Sequence, residues 1–377
     1  MRLVRNRREL FTKLYKGAAL LVFNTLLLFI GLNGCLALIS MLRHRFSDAQ
    51  YGPTVQRYGL RYVATAYPGW TPADLKVLLR ETTRIRSDYE PFTTLRPELL
   101  AGRFINLGPS GYRNGSEQCP WPVEHGTTNI FVFGGSTAFG VGVADSDTIP
   151  SRLQHHLRQV TGKHICVYNF ARPAYASANE RILFQQLLLD RHKPDLAVFI
   201  DGLNEFRTDD MTEPLRNMVR QETHPDWRGA TLQFLRTLPV GRAARLAQRR
   251  EGLPVPAENP IAVVDRWIAN VRMVRAIAAQ FGVRTLFVWQ PVPSYGYDLR
   301  YHAFSQLVPA GWWGTPGWAY VSSQAGNLGD DFLWLGDLQR GERRNLYVDS
   351  FHYNAPFCDR IAMAIAARLQ RDLPASR

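Results

Sequence analysis

The sequence predicts an α/β domain, a parallel sheet with helices on both faces, preceded by one N-terminal transmembrane helix. Three observations carry this. Short continuous apolar runs recur at NIFVF, HICVYNF, DLAVFID and VRTLFVWQPV, and such runs mark strands buried on both faces. Segments with helical spacing separate them, and alternation of strand and helix is the pattern of a parallel sheet. Residues 17–42 carry no charge; as a helix they span about 39 Å, enough to cross a hydrocarbon core of about 30 Å.

Residues 1–16 form a basic tail in which Arg2, Arg5, Arg7, Arg8, Lys13 and Lys16 stand against Glu9. A positive flank before a membrane span keeps the N-terminus in the cytoplasm. In a bacterium the rest then lies in the periplasm, and the chain is a single-pass inner-membrane protein. Two other readings of the leader compete. A cleaved signal peptide needs a small-residue site closing the apolar run, and no A-x-A does. The string LNGC ending at Cys35 resembles a lipoprotein cleavage site, yet Asn33 suits it poorly and apolar LALIS follows.

Residues 43–125 read as a juxtamembrane region and lead-in. A helix is expected over 72–83, where Thr71 caps and Pro72 takes the first helical position. The segment FINLGPSGYRNG is rich in turns. The α/β domain occupies 126–377, with strands in the four apolar runs and helices near 149–160, 177–193, 261–281 and 356–373. Two insertions interrupt it: residues 207–260, rich in Arg and Pro, and residues 296–345, with Trp312, Trp313, Trp318 and Trp334. Connections of this length are binding loops or covers over sheet edges.

Composition bounds the partners. The 377 residues are 46% hydrophobic and 20% charged, with a net charge of +13, ordinary for a globular chain with a basic excess. That excess favours an anionic partner such as lipid head groups or acidic polysaccharide. No Arg/Lys run interleaves with aromatics, so nucleic acid is not expected. The four cysteines, Cys35, Cys119, Cys166 and Cys358, form no C-x-x-C, and the histidines form no ligand pair; no metal site is expected. Cys166 reads as a core residue. Cys119 and Cys358 are candidates to meet in an oxidising compartment, but unpaired thiols are the expectation. The oligomeric state stays open.

The chemistry begins at Ser136, in Phe133-Gly134-Gly135-Ser136-Thr137, directly after a buried strand. Strand C-termini in a parallel sheet face the ligand crevice, and the glycines allow a tight turn and close approach. By itself a G-G-S-T string is most often only a turn. A phosphate loop is excluded, because Val141 stands where its Lys is required. A serine needs a base. Asp349-Ser350-Phe351-His352 supplies one: a carboxylate three residues ahead of an imidazole can fix the ring tautomer and leave the other nitrogen for the serine proton. An oxyanion needs donors. Asp201-Gly202-Leu203-Asn204 ends the third strand with a side-chain amide, and Asn169-Phe170-Ala171-Arg172-Pro173-Ala174 ends the second with backbone N–H groups. Arg172 and Glu205 flank these strings and are candidate substrate contacts, with structural salt bridges as the alternative.

Together these strings resemble the SGNH (GDSL-like) hydrolase family over roughly residues 126–373. FGGSTAFG matches its nucleophile block at Ser136, Gly202-Leu203-Asn204 its Gly-x-Asn block, and Asp349-x-x-His352 its last block. The resemblance implies a flavodoxin-like three-layer α/β/α fold. It also implies ester hydrolysis without a cofactor, with Ser136 as nucleophile, His352 as base, Asp349 as orienter, and Ser136, Ala174 and Asn204 around the oxyanion. The chain departs in its second block, where Ala174 replaces the family's usual glycine. An α/β-hydrolase is disfavoured, since its acid and histidine lie far apart in sequence. The expected function is an esterase or deacylase acting on an acylated glycan of the envelope or an exported polysaccharide. An O-acyltransferase of the same family, and a non-catalytic envelope assembly protein keeping the fold, are the alternatives.

Overall fold

The computed structural model describes residues 2–46, 48–124, 126–206, 231, 234–235, 237–248, 258–309 and 311–371. Most of the insertion expected at 207–260 lies outside these. The chain divides into two compact units, residues 1–49 with 210–254, and residues 50–209 with 255–377.

In the first unit helix α1 (Arg2–Phe46) runs without a break from the basic tail through the apolar stretch. Its segment Phe11–Leu42 is long and apolar enough to cross a membrane, and none of it is buried. A short helix, Pro239–Gln248, belongs to the same unit, and the Val240 N–H donates to Asn33 Oδ1 (3.2 Å). Asn33, the polar interruption of the apolar run, thus has a partner there.

The second unit is built on five strands: β1 (Thr128–Gly134), β2 (Ile165–Asn169), β3 (Leu196–Asp201), β4 (Arg284–Trp289) and β5 (Phe332–Trp334). Their spatial order is β2-β1-β3-β4-β5 and every pairing is parallel. This 2-1-3-4-5 order is the flavodoxin-like one, whose ligand crevice lies at the carboxyl ends of the strands where the order reverses. β5 falls inside the 296–345 insertion, too short to show as an apolar run. Helices α3 (Ile149–Thr161) and α7 (Ala355–Gln370) cover one face; α4 (Ser177–Leu189), α5 (Pro260–Phe281) and α6 (Thr315–Gln324) cover the other.

The two faces differ in chemistry because successive strand residues point to opposite sides. Ile130, Val132, Val198, Ile200 and Val288 pack against Leu153, Leu157, Ile361 and Ile365. Phe131, Phe133, Phe199, Phe287 and Trp289 pack against Phe184 and Trp267. Phe133, Phe199 and Phe287 form a ladder across three strands, with stacked rings 4.8 and 5.3 Å apart. Trp318 is buried in this aromatic layer, and Trp312, Trp313 and Trp334 pack on it. The tryptophans of the insertion therefore cover the sheet.

The lead-in belongs to the same unit. Helix α2 (Pro72–Arg84) starts where expected, with Thr71 accepting from the Asp74 N–H. It buries Leu75, Leu78 and Leu79 beside Ala144, Phe304 and Val348. One expectation is corrected here. Cys119 is bonded to Cys166, with Cα atoms 5.7 Å apart, while Cys358 is a buried free thiol. β2 carries Cys166 to the sheet edge where the 112–121 segment lies over it, a juxtaposition that spacing in sequence does not reveal. His164 lies beside the pair, but both sulfurs are spent on each other.

Candidate active site

Ser136 opens a short helix, Ser136–Phe139, immediately after β1. Both preceding glycines have a steric reason. Gly134 has φ +155°, and a Cβ there would stand 2.6 Å from the Ala138 Cβ and 2.9 Å from the Ile200 carbonyl oxygen. A Cβ on Gly135 would stand 2.1 Å from Asn204 Nδ2 and 3.2 Å from the Tyr175 carbonyl oxygen. Any side chain at 135 would displace the amide expected to bind the oxyanion.

The Asp-x-x-His loop comes to this point from the far end of the sequence. His352 Nε2 lies 2.9 Å from Ser136 Oγ, and Nδ1 lies 2.6 Å from Asp349 Oδ2. Asp349 Oδ1 accepts the Phe351 and His352 backbone N–H groups, both at 2.9 Å. The Val348 N–H donates to the His352 carbonyl (2.9 Å), closing the loop. The cap of α7 is Asn354, which accepts from the Phe357 N–H; Asp349 is left for the imidazole.

The electrostatics follow from these contacts. Burial pulls the His352 pKa down, but the Asp349 charge and hydrogen bond outweigh it, and the net shift is upward. Burial pushes Asp349 up, but the imidazole and the two backbone N–H groups prevail, so its carboxyl sits below the usual range. Asp349 is thus held ionised, fixing the proton on Nδ1 and leaving Nε2 as acceptor toward Ser136.

Asn204 Nδ2 donates to the Tyr175 carbonyl (2.6 Å) and keeps a second hydrogen beside Gly135. Ala174 lies in a turn closed by the Tyr175 N–H to the Arg172 carbonyl (3.2 Å). Pro173 takes the second position and Ala174 the third, with φ +72°. A turn of this kind favours glycine at that position, so the family's glycine has a conformational reason and Ala174 bears strain. Ala174→Gly is expected to stabilise the protein by up to about 1 kcal/mol, the relief of a left-handed non-glycine residue less the greater unfolded-state freedom of glycine. A denaturant midpoint that falls would contradict this.

The two candidate substrate contacts are corrected. Arg172 is 3% exposed; its Nη1 donates to the Glu90 carboxylate, to the Leu95 carbonyl at 3.2 Å and to Tyr175 Oη at 2.8 Å. A buried guanidinium requires such partners, and these tie the hairpin 87–97 to the oxyanion turn. Glu205 is 9% exposed and accepts from the Ser177 N–H (2.7 Å) and Oγ–H (3.0 Å). It thereby joins the Asn204 turn to the start of α4, just beyond the Ala174 turn.

Glu205 shares its surroundings with two more buried carboxyls, Glu180 and Asp201. Burial, with the Asp201 charge, raises the Glu205 pKa to about 8. An unfolded glutamate titrates near pH 4.3, so this group's contribution is fully present below about pH 4 and is lost as pH rises toward 8. Glu205→Gln is expected to flatten that decline while keeping the link to Ser177. Denaturant midpoints at pH 5 and pH 8 measure it; an unchanged slope would refute the assignment.

Other residues at the site carried no signal in sequence. Arg113, wholly buried, donates from Nε to Asp145 (2.8 Å), from Nη1 to the Phe139 and Gly140 carbonyls (3.0 and 2.6 Å) and from Nη2 to Val143 (2.7 Å). It braces the loop that follows Ser136. Tyr67 of the lead-in is buried, and its phenol is pushed upward by that burial and by the Asp349 charge. An isolated Arg or Tyr in a turn-rich segment has no motif to announce such a role.

No family model matches the chain, and no curated protein matches it. Among solved structures it is similar to a carbohydrate acetylesterase from Sinorhizobium meliloti: 13% identity, 65% of this chain and 99% of that one covered, TM-score 0.39. It is also similar to the lipase/acylhydrolase from Enterococcus faecalis, at 11% identity, 67% and 100% coverage and TM-score 0.41. A catalytic mutant of an acetylxylan esterase from Geobacillus stearothermophilus matches at 12% identity, 67% and 97% coverage and TM-score 0.35. By its own strand order the chain has a flavodoxin-like α/β fold, and its serine, histidine and aspartate blocks meet at the carboxyl edge of the sheet.

Proposed function

We propose that the protein is a membrane-anchored serine esterase that removes O-acyl groups from an envelope or exported polysaccharide. The observation that carries the chemistry is the unbroken relay from Ser136 Oγ through His352 to Asp349. In the first half-reaction Ser136 Oγ attacks the ester carbonyl carbon while Nε2 takes its proton. The negative charge on the carbonyl oxygen meets the Asn204 amide and the backbone N–H groups of Ser136 and Ala174. Nε2 then protonates the departing sugar oxygen, leaving an acyl-serine. Water, deprotonated by the same nitrogen, attacks that ester and releases the acid and free Ser136.

The basic flank of α1 supports a cytoplasmic N-terminus with the catalytic unit outside. The Cys119–Cys166 disulfide fits an oxidising compartment such as the periplasm. Acetate released from an acetylated glycan by the full chain, and absent with Ser136→Ala, tests the proposal. Acetate recovered on an added glycan acceptor instead of in solution would make the protein a transferase.

A further inference from the structure

The second unit contains a cavity of about 520 Å³ bounded by residues 68–71 of the lead-in and by Ala355, Pro356 and Asp359 of α7, with Asp74, Phe104, Asp147 and Arg152 between. That volume is within the range of small-molecule sites. Tyr67, the residue before this wall, feels the Asp349 charge. Ala355, on the other wall, follows His352 by three residues, no more than about 11 Å of extended chain. The cavity therefore lies on the acid and base side of the catalytic centre.

Its lining combines aromatic surface with fixed polar groups. Trp70 and Phe104 are both half-buried and meet edge to face with centroids 4.9 Å apart. Phe104 is held from behind: the buried Glu81 carboxylate accepts the N–H groups of Arg103, Phe104 and Ile105 at 2.7, 2.9 and 3.0 Å. Every carboxylate facing the cavity already has a cationic partner. Asp74 pairs with Arg103 (2.6 Å), Asp147 with Arg152 (2.5 Å), and Asp359 lies 3.9 Å from the same Arg152 and 2.8 Å from the His156 ring. A carboxylate with one partner still has lone pairs to offer. An anion would meet three carboxylates, and a cation would compete with partners already in place. An uncharged ring with an apolar face and a rim of hydroxyls suits both halves of the lining: the face covers aromatic surface and the hydroxyls donate to the aspartates.

We infer that this cavity binds a neutral sugar ring and anchors the glycan whose acyl group is removed at Ser136. The link to catalysis rests on the esterase reading; the binding itself does not. The test uses the full chain in detergent, carrying Ser136→Ala. Cellotetraose, xylotetraose and chitotetraose are the neutral probes and tetragalacturonate the charged one, with binding followed by ligand-observed NMR. At least one neutral probe should bind, and Trp70→Ala should weaken it about tenfold, the loss of one aromatic's contact area. Trp70→Phe should restore most of the affinity, and tetragalacturonate should bind more weakly. Absence of binding by all three neutral probes, or binding indifferent to Trp70→Ala, overturns the inference. Should Trp70→Ala unfold on a thermal scan, the shape-preserving Asp359→Asn decides by the same titration. Sugar binding without ester cleavage by the wild-type chain would overturn the esterase reading and leave the cavity's assignment standing; cleavage without binding would do the reverse.

Discussion

Ser136→Ala should lower kcat for a short-chain aryl ester by about 10⁴- to 10⁶-fold, because removing the nucleophile of a serine–histidine–aspartate site leaves only binding and the oxyanion donors. The substitution removes one oxygen, and the Ser136 side chain has His352 as its partner. The main-chain bonds that shape the turn are untouched, among them Phe139 N–H to the Gly135 carbonyl and Gly140 N–H to the Ser136 carbonyl. Stability should therefore change little, and single-turnover kinetics should show no acyl-enzyme burst. Equal rates for wild type and variant would remove Ser136 from the mechanism and leave the fold as a scaffold for something other than acyl transfer.

Asp349→Asn should cost about 10⁴-fold in kcat, a loss seen when the acid of such a triad becomes an amide. The asparagine oxygen can still accept the Phe351 and His352 N–H groups that Asp349 Oδ1 now holds. Its NH₂ would then face His352 Nδ1, which must turn acceptor, placing the ring proton on Nε2 where Ser136 needs a base. The pH dependence gives a second readout. His352 must be neutral to act, and its pKa is raised by Asp349 above the usual value near 6.5. Wild-type kcat/KM should fall as pH drops through that raised value. With the carboxylate charge gone, the midpoint for the residual activity should move to lower pH. A midpoint that stays in place while kcat collapses would mean that Asp349 acts on something other than the imidazole.

Much of this site was legible because each block sits where a strand ends. Ser136, Ala174 and Asn204 follow β1, β2 and β3, whose apolar runs are unmistakable, and parallel strands bring their carboxyl ends to one edge. The departure at Ala174 was legible too, since only backbone conformation separates alanine from glycine there, and φ +72° locates the strain. Arg172 and Glu205 stood open in sequence between a substrate contact and a structural role. Their nearness in sequence to the oxyanion strings suggested substrate, but their partners, Glu90 and Ser177, come from other segments and decide that both are buried.

By itself the sequence determined what is local and periodic: the apolar helix, the strand and helix alternation, the capped start of α2, and the types of residue that could do acyl chemistry. These depend on spacing along one segment, through burial on one or both faces and through turn chemistry. Only the tertiary structure decided which residues meet. It paired Cys119 with Cys166, set β5 as the fifth strand, turned the tryptophans onto the sheet, brought the lead-in's Tyr67 within reach of the Asp349 charge and set Trp70 across a cavity from the start of α7. The physical reason is that such contacts join segments tens to hundreds of residues apart. Their free energy comes from packing and from pairing buried polar groups, which no stretch of chain encodes alone.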